Sequence, residues 1–302
     1  MQKCKIRLTF PSCRAIMAIR LNPAAHKAVP IRRAEINRAP FSRFFPARQI
    51  KTEGDFLMVK ILAIGNSFSQ DATRYLYPIA QADGTPMKLV NLCIGGCSLE
   101  RHFRNVRGDL PAYAMEFNSA STGLNVSVKQ LLVSDSWDFI TLQQVSQCAP
   151  KYETYQPYLG AVADEIRYYQ PKARLLLHQT WAYEQGSARL TTELGYTDQA
   201  EMFRDVEAAY AEAARAIHAD GIIPSGMLFQ RMLRAGFTRI HRDTFHADLG
   251  FGRYALAALW FDLLTGRSVT GNSFRALDVP SDDVDFPLIQ RLAHELADEV
   301  RF

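Results

Sequence analysis

Three separated residues have the types that proton-assisted nucleophilic chemistry needs: Ser67, Asp243 and His246. Asp243-Thr-Phe-His246 sets a carboxylate three residues ahead of an imidazole, in a turn. That spacing lets the carboxylate reach Nδ1, fix the tautomer and leave Nε2 free to take a proton from a hydroxyl. The plainer alternative is a capping aspartate beside a surface histidine. Asp248 is the better cap for the apolar helix that follows, which leaves Asp243 without that duty. Ser67 is the candidate hydroxyl, although a helix cap alone would also explain a serine there. Two further groups could steady a tetrahedral oxyanion, where one preorganised donor contributes roughly 3–4 kcal/mol. Gly96 offers a backbone N–H with no side chain in the way, and Gln143 offers an amide. Read singly they are a turn glycine and a glutamine satisfied by backbone. Falling in order on successive strand edges, the four elements point to one site.

The elements that must position them follow from the apolar pattern. Ile61-Leu-Ala-Ile runs straight into Gly65-Asn66-Ser67, as a buried parallel strand does when it ends in a sharp turn. Asn66 or Ser67 then caps a helix expected over residues 71–82. Further strands are expected at 87–93, 137–143, 173–178 and 221–224. Helices are expected at 126–134, 155–169, 198–219, 248–264 and 287–300, with residues 99–118 unassigned. Strands alternating with helices at this rhythm indicate βαβ units and a parallel sheet of five strands covered on both faces. The carboxyl edge of such a sheet is where open α/β folds bind ligands.

The formal charge of +4 hides an asymmetry. Residues 1–57 hold twelve Lys/Arg against three acids, and residues 58–302 hold 23 basic against 28 acidic side chains, a net of −5. A mildly acidic body is not expected to bind nucleic acid. The first 57 residues lack apolar periodicity and are broken by five prolines, so a disordered basic extension is expected there. A transit peptide, a nucleic-acid arm or an over-long reading frame with its true start at Met58 would each fit. The apolar run at 15–19 is too short for a secretory signal. No run approaches the ~18 apolar residues of a membrane span, and the best, residues 254–261, is stopped by Asp262. Five cysteines, with no second pair to complete a zinc site around Cys93 and Cys97, fit reduced thiols in the cytoplasm. One catalytic domain over residues 58–302 is the expectation.

On these residues the chain resembles the SGNH (GDSL-like) hydrolases. Gly65-Asn66-Ser67 with Phe68-Ser69 is similar to their first block, and Asn91 to Ser98 to the second, with Gly96 at the oxyanion glycine. Asp243-Thr-Phe-His246 matches the last block. The resemblance is strongest to a bacterial branch with Gly-Asn-Ser-Phe-Ser, Gly-Gly-Cys-Ser-Leu-Glu-x-His (Gly95 to His102), Trp-Asp-x-Ile-x-Leu-Gln-Gln (Trp137 to Gln144) and Thr-Trp-Ala-Tyr (Thr180 to Tyr183). One block departs: the family usually has Gly-x-Asn-Asp where this chain has Leu142-Gln143-Gln144-Val-Ser146. Gln143 resembles the glutamine of related carbohydrate-esterase branches, and the block leaves open which of Gln143 and Gln144 points inward.

The resemblance implies a three-layer α/β/α, flavodoxin-like domain. It implies a serine ester hydrolase with Ser67 as nucleophile, His246 as base and Asp243 as its orienting carboxylate. The Ser67 and Gly96 N–H groups and the Gln143 amide would hold the oxyanion, with no metal or organic cofactor. It further suggests short acyl groups, acetyl among them, on a carbohydrate or related small ester. A lipase or thioesterase on longer chains, and a non-catalytic binding domain in which Ser67 only caps a helix, are the alternatives. Gln144, His102 and Trp181 are weaker candidates for the substrate mouth. His102 could instead form a structural ion pair with Glu100. Trp181, with His178 and Tyr183, could stack on a sugar or cap the core. Arg239, His241 and Arg242 could attract an anion or be solvated charges.

Overall fold

The computed structural model describes residues 58–302. The expectations for residues 1–57 lie outside the described residues. The chain folds as β1 (Val59–Gly65), α1 (Ser67–Thr73), α2 (Leu76–Asp83), β2 (Met87–Cys93), α3 (Leu99–Arg107), β3 (Tyr113–Phe117), β4 (Ala120–Val126), α4 (Val128–Leu132), β5 (Phe139–Leu142), α5 (Tyr158–Tyr169), β6 (Arg174–His178), α6 (Gln199–Ala216), β7 (Gly221–Ile223), α7 (Ser225–Arg234), α8 (Phe251–Thr265) and α9 (Phe286–Val300).

One sheet has the order β4-β3-β2-β1-β5-β6-β7. Its five parallel strands are β2, β1, β5, β6 and β7. Their order is the flavodoxin one, and right-handed crossovers on either side of β1 put helices on both faces. The sheet has seven strands rather than five because β3 and β4 add an antiparallel hairpin beyond β2. Its two-residue loop, Asn118-Ser119, has positive φ at both positions (48° and 67°), the handedness that matches strand twist. Without a glycine there, the hairpin carries little signal in the sequence.

β1 is buried on both faces from Ile61 to Ile64, as a central parallel strand must be. The single helix expected over 71–82 is two helices, because the Pro78 ring would clash with the carbonyl of residue 74 in a continuous one. α8 is buried from Tyr254 to Leu264 and apolar there except for Asp262, and it packs against α1, α2, α7 and α9. Among the described residues no helix is long and apolar enough to cross a membrane.

Candidate active site

The chain reverses strand order between β1 and β5, and the crevice at such a switch point opens at the carboxyl ends of the two strands. Ser67 follows β1 there, and Gln143 follows β5. Asn66, not Ser67, is the N-cap of α1: its Oδ1 accepts the Phe68 N–H at 3.0 Å. Ser67 is therefore the first helical residue, where a backbone N–H has no intrahelical acceptor.

His246 reaches back across 179 residues to Ser67, with Nε2 2.8 Å from Oγ. Its Nδ1 lies 2.8 Å from Asp243 Oδ2, and its backbone N–H donates to Asp243 Oδ1 at 2.9 Å. The carboxylate can only accept, so Nδ1 carries the proton and Nε2 accepts from the serine hydroxyl. Burial pushes the Asp243 carboxyl up, but the two hydrogen bonds from His246 and the nearby Arg242 charge outweigh it and hold the group below its ordinary value. The three side chains thus form one hydrogen-bonded chain that can move a proton from hydroxyl to imidazole.

The turn that carries Asp243 and His246 is strained and tightly held. Thr244, a β-branched residue, sits at φ +74°. Its carbonyl accepts from the Glu184 N–H at 2.8 Å, and the Phe245 carbonyl accepts from Trp181 Nε1 at 2.7 Å. His241 Nε2 donates to the Ala182 carbonyl at 3.0 Å. The segment after β6 therefore pins the turn at three points. From the other side Asp71, fully buried one turn beyond Ser67 on α1, accepts Arg242 Nη1 at 2.9 Å, Arg253 Nε at 2.9 Å and the Ala247 N–H at 3.1 Å. Arg242 is thus an ion-pair partner of Asp71, neither an anion trap nor a merely solvated charge.

Gly96 is exposed at φ +63°, with nothing within 4 Å of where a Cβ would stand. Gln143 is 1 % exposed, and its Nε2 donates to Asn66 Oδ1 at 2.6 Å. Gly65 is required beside it, since a Cβ there would come within 2.9 Å of the Gln143 carboxamide and 2.7 Å of Ser69 Oγ.

Three weaker candidates are corrected. Gln144 is buried facing away: its Oε1 accepts the Leu99 and Val145 N–H groups and its Nε2 donates to Thr154. His102 is buried against Tyr113, with Nδ1 2.9 Å from the phenolic oxygen, while Glu100 pairs with Arg104 instead. Burial lowers the His102 pKa to about 3. Trp181 is 1 % exposed and stacks on Phe68 at 4.1 Å, so it supports the site from beneath and offers no face to a sugar. Asp71 and Arg253 are the contributors that sequence reasoning missed, and for Asn66 and His178 it missed the hydrogen bonds each makes to Gln143. Asp71 alone had a signal, its four-residue spacing from Ser67 on one helix face. Among the described residues one group could gather metal ligands, Asp262, His294 and Asp298, but Arg301 already bridges its two carboxylates.

Fold and site together define a flavodoxin-like α/β domain with a serine–histidine–aspartate hydrogen-bonded chain on the carboxyl edge of its sheet. The chain belongs to the DUF4886 family, a domain of unknown function, whose model matches residues 60–294. It is 35 % identical to a DUF4886 protein from Bacteroides uniformis over 79 % of this chain and 94 % of that one, with a TM-score of 0.72. It is also similar to a candidate SGNH hydrolase from Slackia heliotrinireducens (22 % identity, 67 % and 96 % covered, TM-score 0.49). A third likeness is to the lipase/acylhydrolase from Enterococcus faecalis (14 %, 70 % and 97 %, 0.47). No curated protein matches the chain.

Proposed function

We propose that this protein hydrolyses carboxylic esters through an acyl-serine intermediate. One observation carries the reading: Ser67 Oγ, His246 Nε2, His246 Nδ1 and Asp243 Oδ2 are linked in series at 2.8 Å each. Ser67 Oγ forms a bond to the carbonyl carbon as its proton passes to Nε2. The resulting oxyanion is held by the Ser67 and Gly96 N–H groups and by the Gln143 amide. Collapse breaks the bond to the leaving alcohol, which takes the proton from His246. Water then repeats the sequence on the acyl-enzyme, returning the proton to Ser67 and releasing the acid. Asp243 stays ionised throughout and stabilises the imidazolium.

The proposed substrate is a short acyl ester, acetyl foremost, on a carbohydrate or related small molecule. Its support is the likeness of Gln143 to the glutamine of carbohydrate-esterase branches, and fold alone does not decide it. A fluorophosphonate probe tests the nucleophile: labelling that is lost in Ser67→Ala supports it, and labelling that persists in the variant rejects it. Rates on acetyl and octanoyl nitrophenyl esters test acyl length. Faster turnover of the octanoyl ester would instead indicate a lipase or thioesterase.

A further inference from the structure

The buried group behind the oxyanion site is His178, at the end of β6, which is 0 % exposed and takes no part in the proton relay. Its Nδ1 lies 2.8 Å from Gln143 Oε1 and its Nε2 3.0 Å from Ser225 Oγ. Two backbone groups decide every proton in this chain of contacts. Asn66 Oδ1 must be an oxygen, because the Phe68 N–H donates to it at 3.0 Å. Asn66 Nδ2 must be the nitrogen, because it faces the Cys97 carbonyl at 3.1 Å. The Gln143 atom 2.6 Å from Asn66 Oδ1 is then a donor, its Nε2, and Oε1 is left facing His178. His178 must therefore donate from Nδ1. Burial lowers its pKa to about 3, so the ring is neutral, Nε2 carries no proton and Ser225 O–H donates to it.

We infer that His178 is a positioning residue that locks the Gln143 carboxamide with its NH₂ on the Asn66–Ser67 side. The inference rests on the reading of Gln143 as an oxyanion donor. One Nε2–H is spent on Asn66, and the second makes no hydrogen bond among the described residues. Flipped, the same amide would turn a carbonyl oxygen toward the developing negative charge and would set two acceptors, Gln143 Oε1 and Asn66 Oδ1, against each other. A glutamine is longer and freer than the asparagine usual in this block. The ring behind it supplies the rigidity that the shorter side chain would have had by itself.

Two measurements on the whole protein test this. Nitrogen-15 NMR of His178 should show the Nδ1–H tautomer, unchanged from about pH 5 to pH 8. An Nε2–H tautomer, or titration in that range, overturns the hydrogen-bond chain whether or not any ester is turned over. In kinetics, His178→Leu should lower kcat at least about tenfold with KM within about twofold, since losing one oxyanion donor outright costs roughly a hundredfold or more. His178→Asn, whose amide can stand where Nδ1–H stood, should restore most of it. On a Gln143→Ala background His178→Leu should cost nothing further. Equal losses on both backgrounds, or no rescue by asparagine, would make the role merely structural and overturn the inference. Wild-type kcat in Gln143→Ala itself would reject Gln143 as a donor without touching the Ser67 reading.

Discussion

Asp71, one turn beyond Ser67 on α1, accepts Arg242 Nη1 at 2.9 Å, so the helix that carries the hydroxyl and the turn that carries the imidazole share a buried ion pair. Arg253 of α8 completes the group, and the Ala247 N–H, immediately after His246, joins it. Removing one partner of a buried pair typically costs 3–5 kcal/mol, and since Arg253 keeps Asp278 and Arg242 keeps the Ala247 carbonyl, the lower end of about 3 kcal/mol applies. Asp71→Ala is expected to destabilise the domain by about that much in urea unfolding. Esterase activity should fall even where the variant remains folded. A stability within about 0.5 kcal/mol of wild type would contradict this account.

Asp243 uses both carboxylate oxygens on His246, and its side chain is 45 % exposed. Asp243→Asn should leave the fold intact and lower kcat by up to roughly ten-thousandfold, the loss the same change causes in the serine-protease relay. Circular dichroism with steady-state kinetics checks both halves. A folded variant with near wild-type kcat would show that the carboxylate does not orient the ring.

Gly65 leaves room for the Gln143 carboxamide, as a Cβ would stand 2.9 Å from it. Gly65→Ala should displace the amide and reduce kcat about tenfold or more, as a weakened oxyanion donor does. Fluorophosphonate labelling of Ser67 should persist. Unchanged kcat would mean that the amide sits too far from the reaction to matter.

His102 and His178 are buried neutral, each with a pKa lowered to about 3 by desolvation, and His241 is lowered to about 4 for the same reason. Their folded values lie below the unfolded value near 6.5, so the unfolded chain binds protons first as pH falls. Stability is therefore full above about pH 6.5 and declines as pH falls, until about pH 4 for His241 and about pH 3 for His102 and His178. Between pH 7 and pH 5 each fully buried ring should cost about 2 kcal/mol. Urea midpoints at the two pH values check this, and His102→Phe should flatten part of the slope. A midpoint that does not change would contradict it.

The legible parts of the site are those written in consecutive residues. Ile61-Leu-Ala-Ile-Gly65-Asn66-Ser67 specifies a strand, a turn and a helix start by burial and capping alone, and Asp243 and His246 meet across a local turn. The five parallel strands were readable because each is a short apolar run with a polar or glycine end. What escaped depends on contacts between distant segments. Gln143 and Gln144 are neighbours of one type at a strand end, and alternation sends them to opposite sides; only the positions of Asn66 and Leu99 decide which side is which. His178 and Trp181 stand where a substrate aromatic would stand in sequence, yet α8 and the turn at Phe245 bury them. Asp71 and Arg242 look like ordinary helix and loop charges until 171 residues of chain bring them together.

Hydrolysis by this route passes through a covalent bond between the acyl group and Ser67. Rapid quenching after mixing with nitrophenyl acetate, followed by peptide mass spectrometry, tests it most directly. An acetyl group on the peptide containing Ser67, absent in Ser67→Ala and accumulating in the variant with His246 replaced by alanine only at a much reduced rate, is the predicted result. Acetate released at the wild-type rate by Ser67→Ala, with no acyl-peptide formed by the native protein, would contradict the account.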